Sequence, residues 1–330
     1  MWLETNPHFT SLSLSAGHLA KQVGARLHSG DADLMVNQVG QPQMAKAAML
    51  IYISNKSAFE GLSQKTGYIL LTSEALFQTY AETTTGASVI LLHDKPRLAY
   101  AKMAGLLYPD LTPEPIIHPT AIIDQTAEIG EGVSIGAYCV IGPGTRLGDG
   151  VQIAAHCQLQ HCDIGEGSFI GGHATIGQAG FGFEMTADGA VKIPHLGRVR
   201  IGAHCHISQQ CNIDRGVLDD TILDDMVMVD THVQIGHNVQ IGKRTLILAQ
   251  TGISGSVHIG CDCIIGAQVG VADHIEIADK TVLLSRTGAT QSLGPGQFAG
   301  FPAEPARSYW RSQAVLKKLV SEKLQERRSK

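Results

Sequence analysis

The stretch VQIGHNVQIGKR, Val233 to Arg244, sets Ile235–Gly236 and Ile241–Gly242 six residues apart. Outward from it, an aliphatic residue returns every six positions from Val229 to Leu283 without a break. The same beat runs upstream from Ile117 to Leu159, slips by one residue, and resumes at Ile164, Ile170 and Ile176. It restarts at Ile201, Ile207 and Ile213 and is interrupted over 214–228. Self-similarity of this kind outranks local propensity as a guide to architecture. A helix would need a 3.6-residue period, which a strict six does not supply.

A β-solenoid satisfies the spacing. Each hexad makes one short strand and one corner, with the aliphatic inward and the glycine permitting the turn. Three hexads form an 18-residue triangular coil, and coils stack at the strand spacing of about 4.8 Å. The fifth position of the hexad is small throughout. Cys139, Cys157, Cys205, Cys211 and Cys263 all fall there, so these read as small core fillers. No CxxC pair occurs among the seven cysteines to suggest a zinc site.

The bulk numbers agree. The chain is 44% apolar but only 5% aromatic, with 37 glycines, which suits a repetitive backbone packed on small residues. A net charge of −5 gives no support to nucleic-acid binding. No apolar run approaches the roughly 20 residues of a membrane span, and MWLETNPHFTSLSLS lacks the plan of a signal peptide. A cytoplasmic protein is the simplest expectation.

Residues 1–110 lack the beat. AMLIYIS, TGYILLTS and ASVILLHD read as buried strands and SAGHLAKQVGARL as a helix opened by a serine, giving an α/β domain. The proline-rich YPDLTPEPIIHP suits a linker into the solenoid, which occupies 111–300. Residues 178–199 break the repeat and should leave the prism as a loop. Residues 301–330 read as a helical extension. From Arg307 onward eight Lys or Arg face Glu322 and Glu326, a net of +6. That is either a solvated helix face or a docking surface for an acidic partner, with Arg307, Arg311, Lys317 and Lys318 foremost.

Repeat arithmetic singles out one histidine. His237 plus 18 is Gly255, and a further 18 lands beside His274, so His237, Gly255 and His274 should climb one side of the prism. Packing does not need an outward imidazole, whereas a base near neutral pH does. A glycine N–H one coil away offers a donor to an oxyanion. These are parts for acyl transfer. Two other readings stay open. His232 and His237 have the spacing of two metal ligands in γ-class carbonic anhydrases, with His204 or His206 as a third. A non-catalytic trimeric scaffold would use no histidine column.

The chain resembles the UDP-3-O-(3-hydroxyacyl)glucosamine N-acyltransferases, hexapeptide-repeat enzymes of lipid A biosynthesis. The resemblance rests on GFGF at 180–183, VKIPHLGRV at 191–199, NIDRGVLDDTI at 212–222, VDTHVQIGHNVQIG at 229–242 and GFPAEP at 300–305. It implies a mainly β fold, a left-handed parallel β-helix with an N-terminal uridine-binding α/β domain and a C-terminal helical extension. It implies homotrimers, and an acyl donor carried on the phosphopantetheine of acyl carrier protein, with no metal or other cofactor. His237 then falls on the general base, Gly255 on the oxyanion donor and His274 on a second histidine. Asp230, near the sugar, would orient His237, with Gln234 and Asn238 also on substrate. Tyr52, Asn55 and Phe59 fall on the nucleotide site. Two departures stand out. Ala179 replaces the usual aspartate before GFGF. Gly288 and Thr290 stand where relatives carry methionines, which should leave the acyl groove open to longer chains.

Overall fold

The computed structural model describes residues 11–62, 64–84, 86–109 and 115–328. The chain divides into two compact units, Met1–Thr112 and Pro113–Lys330.

In the first unit a five-stranded sheet runs in the order Arg26–Gly30, Ala87–Leu92, Tyr68–Thr72, Met49–Tyr52, Gln38–Gly40. All neighbours are parallel except the first pair. Alternation sends Leu50, Ile69, Leu71, Val89 and Leu91 to one face and Ile51, Tyr68, Leu70, Ile90 and Leu92 to the other, each face with its own core. The opening helix is shorter than SAGHLAKQVGARL suggests. Ser15 caps it through His18 N at 3.2 Å, and Gly24 at φ +74 ends it, freeing Arg26–Gly30 to become a strand. Part of the proline-rich linker, 110–114, lies outside the described residues.

The second unit is a parallel β-helix with three sheets of ten, nine and eight strands, most of them two residues long. Inward aliphatics stack coil on coil in register, as in Ile247↔Ile265↔Leu283. The buried column continues through Ile235, Ile253 and Val271 on the next sheet. Ile265 is wholly buried, so Ile265→Ala is expected to cost about 2–5 kcal/mol by transfer loss and residual cavity. A lowered urea midpoint with unchanged slope would show it.

The reason for the recurring glycine differs from the expectation. The left-handed backbone falls two places after the inward residue's glycine, on residues that are mostly not glycine: His232, Asn238, Arg244 and every sixth residue on to Arg286, with φ between 56° and 63°. Gly236 and Gly242 are not in that conformation. A Cβ on Gly236 would stand 2.9 Å from Gly255 N, and one on Gly242 2.7 Å from Cys261 N. Close approach of stacked coils, not turn geometry, demands glycine there.

The fifth position also has a reason beyond size. Cys139, Cys157, Cys205, Cys211 and Cys263 are buried free thiols that donate to backbone carbonyls, such as Cys211 Sγ to Asp230 O at 3.1 Å. Thr245 and Thr251 do the same with hydroxyls at 2.8 Å.

All three departures from the beat fall on one corner, where the nine-stranded sheet passes to the eight-stranded one. They are the slip between Gln158–Leu159 and Cys162–Ile164, the insertion between Thr175–Ala179 and Val199–Ile201, and extra residues between Asn212–Arg215 and Thr221–Leu223. The interruption at 214–228 is thus only a longer corner, with Leu223 taking the inward position. The loop at 178–199 forms a hairpin, Phe183–Thr186 with Gly189–Lys192. His237 stands on this same corner, between Gln234–Ile235 and Gln240–Ile241.

Candidate active site

A groove of about 1070 Å³ opens beside His237. Its floor comes from a register that sequence reasoning missed: Gln234, Gly252, Gly270 and Gly288 are cross-strand neighbours on the outer face of the nine-stranded sheet. A Cβ on Gly252 or Gly270 would meet nothing within 4 Å, so the fold does not require glycine at either position. What their bareness leaves, with Gly288, is a trough about 10 Å long, two strand spacings. Glycines repeating at 18 residues were the available signal. Phe181 and Phe301 give the trough apolar walls, 87% and 78% exposed.

Gly288 does not leave the far end simply open, as the absent methionine suggested. A Cβ there would collide with the Phe301 ring, which occupies that space instead. Thr290 also lines the groove.

At the near end His237 is half-buried, and its Nδ1 lies 3.0 Å from Asn238 Oδ1. Asn238 is oriented by its other bonds: Oδ1 accepts from Val217 N at 3.0 Å and Nδ2 donates to Asp219 O at 3.0 Å. An amide oxygen only accepts, so His237 Nδ1 carries the hydrogen and Nε2 keeps its lone pair. Gly255 follows directly: a Cβ there would stand 2.6 Å from His237 Cε1 and Nε2, so the imidazole lies across a position only glycine can hold. Among the described residues the Gly255 N–H has no acceptor.

The acid next to this pair is Asp214, not Asp230. Asp214 lines the groove and accepts from Gln234 Nε2 at 3.1 Å. Burial raises its pKa, opposed by the Gln234 hydrogen bond and by the nearby His237 and His195 imidazoles. Asp230 sits at the previous corner, where Oδ1 accepts from Thr231 N at 2.7 Å and Oδ2 from Ala249 N at 3.2 Å. Its carboxylate holds backbone within this chain. The insertion supplies a second group the sequence did not announce: His195, buried, stands edge-on to His237 with ring centroids 5.3 Å apart.

His274 is one residue out of register. Asn238, Ser256 and His274 form the column of left-handed residues, whereas His237 and Gly255 precede them with Asp273. His274 is exposed on the same corner but does not line the groove. His232 occupies the neighbouring corner and His206 the ten-stranded sheet, so neither shares a site with His237 within one chain. Among the described residues no three His, Cys, Asp or Glu are grouped to hold a metal.

In the first unit, Phe59 is buried and stacks on Tyr80 at 4.9 Å, which removes it from any nucleotide surface. The short helix Lys56–Glu60 turns it inward. Asn55 caps that helix, accepting from Ala58 N at 3.1 Å. Tyr52 is half-buried against Tyr100 at 4.5 Å. On the helix Ala306–Arg328, Arg307, Arg311, Lys317 and Lys318 are exposed, and Lys318 approaches Glu322 at 3.9 Å. Side chains from residue 323 onward lie outside the described residues.

Comparison with known proteins decides the family. Residues 126–161 match the family described as bacterial transferase hexapeptide (six repeats). UDP-3-O-acylglucosamine N-acyltransferases from two strains of Coxiella burnetii are each 33% identical over 268 residues, covering 74% of this chain and 75% of theirs. The chain belongs to the UDP-3-O-acylglucosamine N-acyltransferase family. It is an acyltransferase, and its solenoid is a left-handed parallel β-helix. LpxA from Acinetobacter baumannii matches with a TM-score of 0.52 at 25% identity, over 57% of this chain and 72% of that one. A second UDP-N-acetylglucosamine acyltransferase structure gives 0.54 at 25% identity, over 60% and 77%. Within this N-acyltransferase, the matched hexads 126–161 lie below the groove, whose chemistry comes from later coils and the insertion.

Proposed function

We propose that the enzyme transfers a 3-hydroxyacyl chain from the thioester of acyl carrier protein to the 2-amino group of UDP-3-O-(3-hydroxyacyl)glucosamine, in the cytoplasm, as a step of lipid A biosynthesis. The observation that carries the reading is the trough of register glycines that begins at His237 Nε2. An apolar slot ending at a base fits an acyl chain whose carbonyl carbon stops beside that base.

His237 Nε2 takes a proton from the sugar amine as nitrogen attacks the thioester carbon. The carbonyl oxygen becomes negative and faces the free N–H of Gly255. Collapse of the tetrahedral intermediate breaks the C–S bond, and the imidazolium returns its proton to the leaving thiolate. Asp214 offers the negative charge that the imidazolium needs, and Gln234 holds that carboxylate in place. For the nucleotide, Tyr52 and Asn55 are the candidates on the first unit.

The exposed cations of the helix Ala306–Arg328 suit docking of an acidic carrier protein. The homotrimer is supported by an outward row in register on the ten-stranded sheet, running from Phe169 through His206 to the apolar stretch Met228, Leu246, Ile264 and Val282. Met228, Leu246 and Ile264 are exposed in the single chain, and apolar rows of this kind are usually covered by another subunit. Among the described residues no helix is long and apolar enough to cross a membrane.

Mass spectrometry of UDP-3-O-acyl-glucosamine incubated with the purified enzyme and 3-hydroxyacyl carrier protein tests the reaction. A mass increase equal to one 3-hydroxy fatty acid less water is expected; unchanged sugar nucleotide would rule the reading out. The same assay tests chain length. Phe301→Ala should empty the space over Gly288 and shift preference towards longer donors, by a few-fold for each methylene newly accommodated. Unchanged preference would mean that the chain does not reach Phe301.

A further inference from the structure

The insertion at 178–198 buries an unusual residue for a surface loop. Phe181, Phe183, Met185, Val191, Ile193 and Leu196 are exposed, while His195 is only 1% exposed. Apolar groups normally take the interior, and histidine enters it less often. Backbone bonds hold the loop's return in place, among them Ile193 N to Gly182 O at 2.9 Å, Leu196 N to Val217 O at 2.6 Å and Gly197 N to Gly216 O at 3.0 Å. Gly182 makes room, since a Cβ there would stand 2.7 Å from His195 Cε1.

The hydrogen on this ring can be placed. Nδ1 lies 3.0 Å from Ile193 O, and a carbonyl oxygen only accepts, so Nδ1 is the donor. Nε2 therefore presents a lone pair. It is buried without a hydrogen-bond partner, where native structures nearly always supply one. The neighbouring ring is His237, at 5.3 Å between centroids and 80° between planes.

We propose that His195 is a positioning residue for acyl transfer, its buried Nε2 lone pair stabilising the positive charge that His237 gains on taking the amine proton. The inference rests on His237 acting as the base. The imidazole excludes water from that flank, so the dipole it presents is already oriented when charge develops. Asp214 answers the same charge from within the groove, and His195 answers it from the insertion. Because the charge appears only once the proton moves, the interaction raises kcat and leaves substrate binding alone.

Two variants separate this from packing. His195→Phe keeps a ring in the space but removes the lone pair, and His195→Gln keeps an acceptor oxygen. Steady-state kinetics with both substrates should show kcat of His195→Phe lowered about tenfold, short of the 10²–10³ of a direct oxyanion donor, with both KM values unchanged. His195→Gln should recover most of the rate, and thermal unfolding should confirm that both variants fold. Wild-type kcat in His195→Phe overturns the inference. So does a His195→Gln enzyme as impaired as His195→Phe, which makes the role one of shape. His237→Ala run alongside distinguishes the two levels. If it is inactive while His195→Phe is normal, only the role of His195 falls; if it is fully active, the base itself falls and His195 with it.

Discussion

His237→Ala is expected to lower kcat by roughly 10²–10⁴-fold, the usual contribution of a positioned general base, with KM for the sugar nucleotide changed little. The geometry makes the effect specific. Asn238 accepts the Nδ1 hydrogen at 3.0 Å, so the lone pair on Nε2 is permanently available to the amine. Gly255 N–H and the glycine trough survive the substitution, because neither depends on the imidazole for its backbone path. The residual rate should therefore reflect binding and oxyanion stabilisation without proton removal. Stability should fall little, since the ring is half-buried on a corner and outside the aliphatic core. Single-turnover formation of the N-acyl product, followed by mass spectrometry, measures the loss. A rate within tenfold of the wild type would show that another group accepts the proton.

How much of this site is legible in the amino-acid sequence depends on how each residue reaches it. His237 and Gly255 are joined by one uninterrupted coil, so adding 18 places them together with no knowledge of coordinates. The same arithmetic stops short at His274, because 273 is an aspartate, and the single-residue offset moves the imidazole into the column of left-handed turn residues. The trough at 252, 270 and 288 follows the rule as well, and was hidden only because glycine elsewhere in the hexad serves close coil stacking. Asp214 and His195 obey no such rule. Asp214 lies on the strand Asn212–Arg215, which the longer corner after it sets out of the 18-residue count. His195 arrives through an insertion, where chain length no longer encodes position. Asp230 and Phe59 mislead for a related reason. A carboxylate seven residues before a candidate base and an aromatic four residues after an asparagine look functional. In the structure one caps backbone amides and the other fills a core.

Gly255→Ala should be nearly as damaging as loss of the base, although it removes no functional atom. The added methyl would begin 2.6 Å from His237 Cε1 and Nε2, well inside contact distance, and 3.1 Å from Nδ1. The backbone at 255 cannot retreat easily. Its carbonyl accepts from His274 N at 3.2 Å, and the adjacent Ser256 N donates to His237 O at 2.9 Å, which ties both coils together. The imidazole must therefore swing out, breaking its bond to Asn238 and carrying Nε2 away from the amine. A displacement of about 1 Å at a reacting group is enough for a 10²-fold loss. Gly255 is not in the left-handed conformation, so alanine introduces no backbone strain there, and the coil should remain folded. Retained thermal stability together with a hundredfold lower kcat is the expected pair of results. Near-normal kcat would mean that the ring already leaves this position when substrate enters, and would remove the Gly255 amide and His237 Nε2 as a preassembled pair.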